Sequence, residues 1–303
     1  MAKILSFGSM NLDYVYGVDH FARGGETLAA NSRVTYCGGK GLNQSIAIAR
    51  AGGDVHHAGV IGPDGMALLE VLQENSVNTN AVRICDTPTG HAIIQCDPSG
   101  QNSILIYGGA NRCVKACDIT NTIPNFSPGD FIVLQNEIGM LSEIMTAAKS
   151  AGMKIAFNPS PVDKTINSLP LELVDIFILN EIEAEEICGV CDTDQALEIF
   201  RRRFPTGSFL LTLGEKGAVY QQHGQNDALR HGAYQVDVVD TTAAGDTFTG
   251  YFIASLAAGK TAKEALQLAS MAAAIAVSRP GASPSVPYLA EVMGSQLPLR
   301  TSN

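Results

Sequence analysis

Short apolar runs alternate along the chain with longer stretches of helical periodicity. VHHAGVIG precedes MALLEVLQENSV, and DFIVLQ, EIMTAAKSAG, KIAFNP, VDIFILN and EAEEICG continue the rhythm. Such alternation predicts a doubly wound α/β fold, a mostly parallel sheet with helices on both faces. Two regions break it: residues 14–37 and 90–107 hold short β-rich runs around Gly, Pro and Ser, with DPSGQN suited to a hairpin loop. They predict a small antiparallel flap inserted into the α/β body. With no fixed-period repeat, low-complexity tract or long linker, residues 1–303 are expected to form one domain carrying that β lid.

Composition narrows the function. An apolar content of 46% in 303 residues is enough for a large core, which excludes disorder as the dominant state. With 20 basic against 30 acidic side chains the net charge is −10, which excludes a general nucleic-acid or anionic-membrane surface. An anionic ligand must therefore be held by local devices such as helix N-termini. The apolar stretch 271–277 is far too short to span a bilayer, and MAKILSFGSMNLD reads as a first strand rather than a signal segment. Seven dispersed cysteines fit a reducing compartment, so the cytoplasm is expected. Cys188 and Cys191 have C-x-x-C spacing but no second pair and no nearby His, and read as ordinary thiols.

Three stretches carry candidate chemistry. In VVDTTAAGDTFTGYFIASLAAG a strand is expected to end at Asp240. A turn of small residues follows, and a helix starts at Ala244 with Asp246 in its first turn. Small side chains at 243–245 let an anion approach free N–H groups at the helix N-terminus. In YCGGKGLNQSIAIARAGG, Gly38, Gly39 and Gly41 permit positive φ and close approach, Lys40 offers a point charge, and Asn43 offers a donor and an acceptor. LLTLGEKGAVY reads as strand, turn, strand. Each alone has an ordinary structural explanation. Two other patterns fail: Gly259-Lys260-Thr261 has Ala254 where a P-loop needs its first glycine, and the first strand lacks G-x-G-x-x-G.

In this order and spacing, GGKGLNQ and DTTAAGDTF resemble the signatures of the ribokinase-like (pfkB) family of carbohydrate kinases, over nearly the whole chain. Many members have Gly-Ala-Gly-Asp where this chain has Ala243-Ala244-Gly245-Asp246, and the Ala-Ala form is familiar from the ribose-phosphorylating members. The resemblance implies a β lid closing over a sugar, bound by Asn11, Asp13, Gly39, Lys40, Gly41, Asn43 and Glu137. It implies that Asp246 is the general base and that the N–H groups of Ala243, Ala244 and Gly245 form an anion hole. Asn180 and Glu183 match residues that organise Mg²⁺ and phosphate, and Thr212, Leu213, Gly214, Glu215, Lys216 and Gly217 match the loop over ATP. Ser270 stands near the adenine, where the family often has Asn or His. K⁺ is expected at Asp240, Ser285 and the carbonyls of Thr242, Ala276, Arg279 and Gly281.

The implied activity is ATP-dependent phosphorylation of the 5-hydroxyl of D-ribose. Kinases for fructose, ketodeoxygluconate or nucleosides, and a silent sugar-binding protein, are the alternatives. Retention of Asp246 with Lys40 and Asn180 argues against the silent binder. Ile93, Gln95, Leu105 and Tyr107 of the lid are expected to influence the choice of sugar. Apolar residues on both sides of the turns in 91–107 predict that two lids pack together in a homodimer.

Overall fold

A computed structural model describes residues 1–300. The chain begins with β1 (Ile4–Phe7), β2 (Asn11–Gly17), β3 (Ser32–Gly38), α1 (Lys40–Arg50), β4 (Val55–Ile61), α2 (Met66–Glu74) and β5 (Asn78–Ile84). It continues with β6 (Gly90–Cys96), β7 (Asn102–Tyr107), α3 (Ala116–Thr122), β8 (Phe131–Gln135), α4 (Leu141–Ser150), β9 (Lys154–Asn158) and β10 (Ile176–Asn180). After α5 (Glu181–Cys188) and α6 (Thr193–Arg203) come β11 (Ser208–Thr212), β12 (Ala218–Gln221) and β13 (Leu229–His231). The last elements are α7 (Ala244–Ala257), α8 (Ala262–Val277) and α9 (Leu289–Gly294).

Nine strands form the main sheet in the order β13-β12-β11-β10-β9-β8-β1-β4-β5, parallel from β11 to β5, with β12 and β13 antiparallel at one edge. Its central strands are mostly apolar on both faces because both are covered, with polar residues such as Gln135, Asn158 and Asn180 at their carboxyl ends. Successive residues serve opposite cores: Ile4, Phe131, Val133, Ile176 and Ile178 pack with α1, α7 and α8, whereas Leu5, Ile132, Leu134, Phe177 and Leu179 pack with α4 and α6. The order reverses between β1 and β8. At such a switch point the loops beyond the carboxyl ends of neighbouring strands diverge and open a crevice.

The four lid strands lie in the order β3-β2-β6-β7. The lid is not purely antiparallel as expected, because β2 and β6 run parallel and only the two outer pairs are antiparallel. Two hairpins of distant sequence are thus zipped by their first strands. The 96–102 turn forms as read, with Asp97 Oδ1 accepting from the N–H groups of Ser99 and Gln101. Register also corrects the sugar-selecting residues. Ile93, Gln95, Leu105 and Tyr107 share a face with Tyr14 and Thr35, whereas Asn11 and Asp13 share the other with Tyr36, Ala92, Ile94, Ile104 and Ile106.

A second correction concerns residues 236–240, which form no strand. Val238 and Val239 are exposed, and the segment is held by N–H bonds from Val239 and Asp240 to the Val277 carbonyl at the end of α8. Asp240 and Thr242 therefore lie in a loop.

Candidate active site

The carboxyl ends of the strands beside the switch point bring together Lys40, Asn180, Glu183, Thr212 and Ala243–Asp246 of the residues singled out by the sequence. A cleft of about 220 Å³ is lined by Lys40, Gln44, Asn158, Asn180, Glu183, Thr212 and the segment Ala243–Asp246. Asn158, Asn180 and Thr212 are the last residues of β9, β10 and β11, so the strands deliver them side by side.

The turn before α7 has the geometry of an anion cradle. Ala243 adopts φ 57°, left-handed backbone that an L-residue enters at a cost of roughly 1 kcal/mol; glycine, common here in the resembling family, enters it freely. The Ala244 N–H is not free as expected, since it donates to the Thr241 carbonyl at 3.2 Å. Among the described residues the Gly245 and Asp246 N–H groups have no acceptor, and they are the free dipole ends of the helix. Gly245 has open space where a Cβ would stand.

The Asp246 carboxylate sits where the phosphate side meets the sugar side. Its Oδ2 accepts from Asn43 Nδ2 at 3.1 Å and its Oδ1 from Gln44 Nε2 at 2.9 Å. Asn43 Oδ1 is buried with no partner, an acceptor held ready for an incoming donor. Burial opposes the charge on Lys40, but the carboxylates of Asp246, Glu137 and Glu183 outweigh it and hold the ammonium above its ordinary value. Glu137 is pushed up, first by burial, and it accepts a hydrogen bond from Ser9 Oγ.

The Gly-rich loop packs against the start of β2. Of its three glycines only Gly39 has positive φ, at 95°, and a Cβ there would stand 2.9 Å from the Asn11 nitrogen. Gly41 is helical but touches Gly8 and Ser9, so its missing side chain serves close approach. Asp13 pairs with Tyr36, and its carboxylate folds over Gly38. Burial, then the charge of Glu137, raises its carboxyl to about 7. Asn11 Oδ1 accepts from Asn111 Nδ2 at 2.8 Å, and Met10 exchanges two further bonds with the same amide. Asn111 thus ties the entry to the first lid hairpin to the exit from the second.

Asn180 and Glu183 form a reciprocal cap on α5: Asn180 Oδ1 accepts from the Glu183 N–H at 2.8 Å, and Glu183 Oε2 from the Asn180 N–H at 3.0 Å. Asn158 Nδ2 also donates to Glu183 Oε2. Of the expected nucleotide loop, Thr212 lines the cleft, while Leu213 is buried and Gly214–Lys216 form a turn outside it. Glu215, Lys216 and Gly217 do not line the cleft, and neither does Ser270, whose Oγ is buried on α8 without a partner. The expected cation segments do meet. Asp240 Oδ2 accepts from the Gly281 N–H at 2.9 Å, and Oδ1 from the Thr242 N–H at 2.8 Å. Ser285 is buried, and the Ala276 carbonyl accepts from the Arg279 N–H.

Sequence reading did not single out Ser9, Gln44, Asn111, Gln135 or Asn158. Gln44 is the last letter of GGKGLNQ, and Asn111 follows the lid in GGANRC. Gln135 and Asn158 read as ends of apolar strands.

Against known proteins, residues 1–289 match the model of the pfkB family carbohydrate kinases. The ribokinase of Staphylococcus aureus is 34% identical over 96% of this chain and 98% of its own length. The solved structure of Arabidopsis thaliana ribokinase complexed with ribose and ATP superposes with a TM-score of 0.88 at 30% identity, covering 96% of this chain and 97% of that one. Ribokinase from Cryptococcus neoformans in complex with ADP gives 0.84 at 33% identity, covering 97% and 99%.

Proposed function

We propose that this chain, which belongs to the pfkB family of carbohydrate kinases, transfers the γ-phosphoryl group of ATP to the 5-hydroxyl of ribose. The single observation that carries the reading is the position of Asp246. Its carboxylate borders the cleft through which an anion reaches the free N–H groups of Gly245 and itself, and it also contacts Asn43 of the sugar-side loop. A phosphoryl acceptor bound by Asn11, Asp13, Gly39, Lys40, Gly41, Asn43 and Glu137 would present its hydroxyl there. Relatives support ribose, since ribokinases of Staphylococcus aureus and Haemophilus influenzae are 34% and 33% identical over nearly the whole of both chains.

The mechanism is positioning plus electrostatics. Asp246 accepts the proton of the attacking hydroxyl, a role worth typically ~10²–10⁴-fold. The turn at Ala243, Ala244 and Gly245 directs helix N–H groups at the transferring phosphoryl, and Lys40 supplies a cation beside it. Asn11 and Asp13 stand at the root of β2, so closing the lid brings sugar ligands and water exclusion together.

Two ions fit the donor sets. Glu183 and Asn180 offer Mg²⁺ one carboxylate and one amide oxygen in the cleft, as suits an ion carried mainly on phosphate oxygens and water. It would supply charge neutralisation at the phosphates. Asp240, Ser285 and the carbonyls of Thr242, Ala276, Arg279 and Gly281 form an oxygen-only set suited to K⁺, which would stiffen the loop leading into Ala243. We also assign Thr212–Gly217 and the neighbourhood of Ser270 to the nucleotide, and the exposed lid to a homodimer contact. Among the described residues no helix is long and apolar enough to cross a membrane. Seven unpaired cysteines support the cytoplasm as the location.

The test is ADP release from Mg-ATP with a panel of pentoses, hexoses and nucleosides. Ribose should give the highest kcat/KM, with a 5-phosphate product. A preferred hexose or nucleoside would replace the substrate, and no turnover with any acceptor would restore the silent-binder alternative.

A further inference from the structure

A chain of two buried side-chain amides stands behind Asp246, running from Gln44 at the cleft wall to Gln135 at the end of β8. Gln44 Nε2 donates to Asp246 Oδ1 at 2.9 Å, and Gln44 Oε1 accepts from Gln135 Nε2 at 2.8 Å. Gln44 is 1% exposed and Gln135 0%. Gln135 ends β8 at the switch point and lies in a slot left by glycine: a Cβ on Gly8 would stand 2.4 Å from Gln135 Oε1 and 2.7 Å from Gly41 Cα. No larger residue at position 8 would leave the amide where it is.

An amide has a donor end and an acceptor end, so a chain of two has a direction. With Asp246 ionised, only one direction works. Gln44 must turn its NH₂ to the carboxylate, and its oxygen then needs a donor, which Gln135 provides. In the reversed chain Gln44 Oε1 would face the carboxylate, acceptor against acceptor, in a buried site where unmade bonds cost most.

We propose that Gln135 is a positioning residue for phosphoryl transfer: through Gln44 it holds the Asp246 carboxylate oriented to take the hydroxyl proton. The inference rests on the reading of Asp246 as the base. Lys40 at the start of α1 and Glu137 beyond β8 are the charged groups that act with that carboxylate, Glu183 on α5 lines the same cleft, and all three are retained in the variants below.

The distinguishing variant is Gln135→Glu, which keeps size and shape. Protonated, the introduced carboxyl donates to Gln44 Oε1 and preserves the direction of the chain. Ionised, it demands the Gln44 NH₂ and reverses the chain. Burial beside Asp246 and Glu137 raises the pH at which it ionises, toward the assay range. We therefore expect kcat of Gln135→Glu to fall at least about tenfold between pH 5.5 and pH 8.5, where the wild type does not fall. Gln135→Met, which removes the donor, should lower kcat about five- to tenfold while the KM values for ribose and ATP stay within about twofold of wild type, with ATP binding by calorimetry unchanged.

A Gln135→Glu profile parallel to that of the wild type, at the same or a uniformly lower level, would overturn the inference. If that variant does not accumulate as folded protein, the Met variant decides, and a kcat within about twofold of wild type, or a loss carried by KM instead of kcat, overturns it. Asp246→Asn, assayed alongside, separates the two ideas. An active Asp246→Asn removes the base reading itself, whereas an inactive one combined with parallel profiles removes only the relay.

Discussion

Gly38→Ala isolates the contribution of Asp13 to sugar binding without altering any proposed side-chain ligand. Gly38 does not have positive φ, so alanine fits its backbone. Its Cβ would lie 2.0 Å from Asp13 Oδ2 and 2.8 Å from Cγ, whereas carbon and oxygen in contact rest near ~3.3 Å. The carboxylate must retreat by more than about 1 Å, further than a hydrogen bond tolerates. Because the obstacle is the tip of a side chain, folding should lose only about 1 kcal/mol or less. Two charged hydrogen bonds to sugar hydroxyls are at stake, each worth about 1.5–3 kcal/mol. Loss of one raises the ribose KM about 10- to 150-fold. Asp246 and its amide donors are untouched, so kcat should change far less. The assay is ADP release with ribose varied at saturating ATP, beside a thermal melt of the same protein. A ribose KM within threefold of wild type would refute the placement of Asp13 against the sugar.

Three further outcomes follow. Asp13 titrates near 7 in the native state against 3.8 unfolded, so the native state holds a proton that the unfolded chain loses above about pH 4. The stability of the free protein should therefore decline from pH 5 to pH 8, while the melting-temperature rise given by ribose grows as the carboxylate forms; a ribose effect flat across that range would contradict it. Potassium chloride should raise kcat or affinity over sodium and tetramethylammonium chloride at equal ionic strength, and Asp240→Ala should abolish the difference; equal wild-type rates in the three salts would remove the cation. Ile104, Leu105, Ile106 and Tyr107 are each at least 50% exposed, so the wild type should sediment as a dimer at micromolar concentration and Leu105→Glu as a monomer; a monomeric wild type would reject the lid contact.

What the sequence revealed, and what it did not, divides along physical lines. The main-sheet strands were legible because burial on both faces demands unbroken apolar runs. Glycines at 39 and 41 and the small residues at 243–245 were legible because close approach allows few residue types. The segment at 236–240 misled because VDVV has the apolar content of a strand, yet it is tied to the end of α8 and finds no partner strand. The parallel pairing of β2 with β6 joins hairpins some eighty residues apart and leaves no local trace, so the face on which Ile93, Gln95, Leu105 and Tyr107 lie could not be read. Gln135 and Asn158 were missed for a related reason: a polar residue ending an apolar strand looks like a boundary until neighbouring strand ends are seen together.

The most direct measurement is kcat for Asp246→Asn at saturating ribose and Mg-ATP, with binding of both followed by calorimetry. Asparagine keeps the size of the side chain but removes the proton-accepting carboxylate. The account predicts a kcat at least about 10²-fold below wild type, with sugar and nucleotide still bound. A kcat within a few-fold of wild type would show that the proton leaves by another route and would contradict the central role given to Asp246.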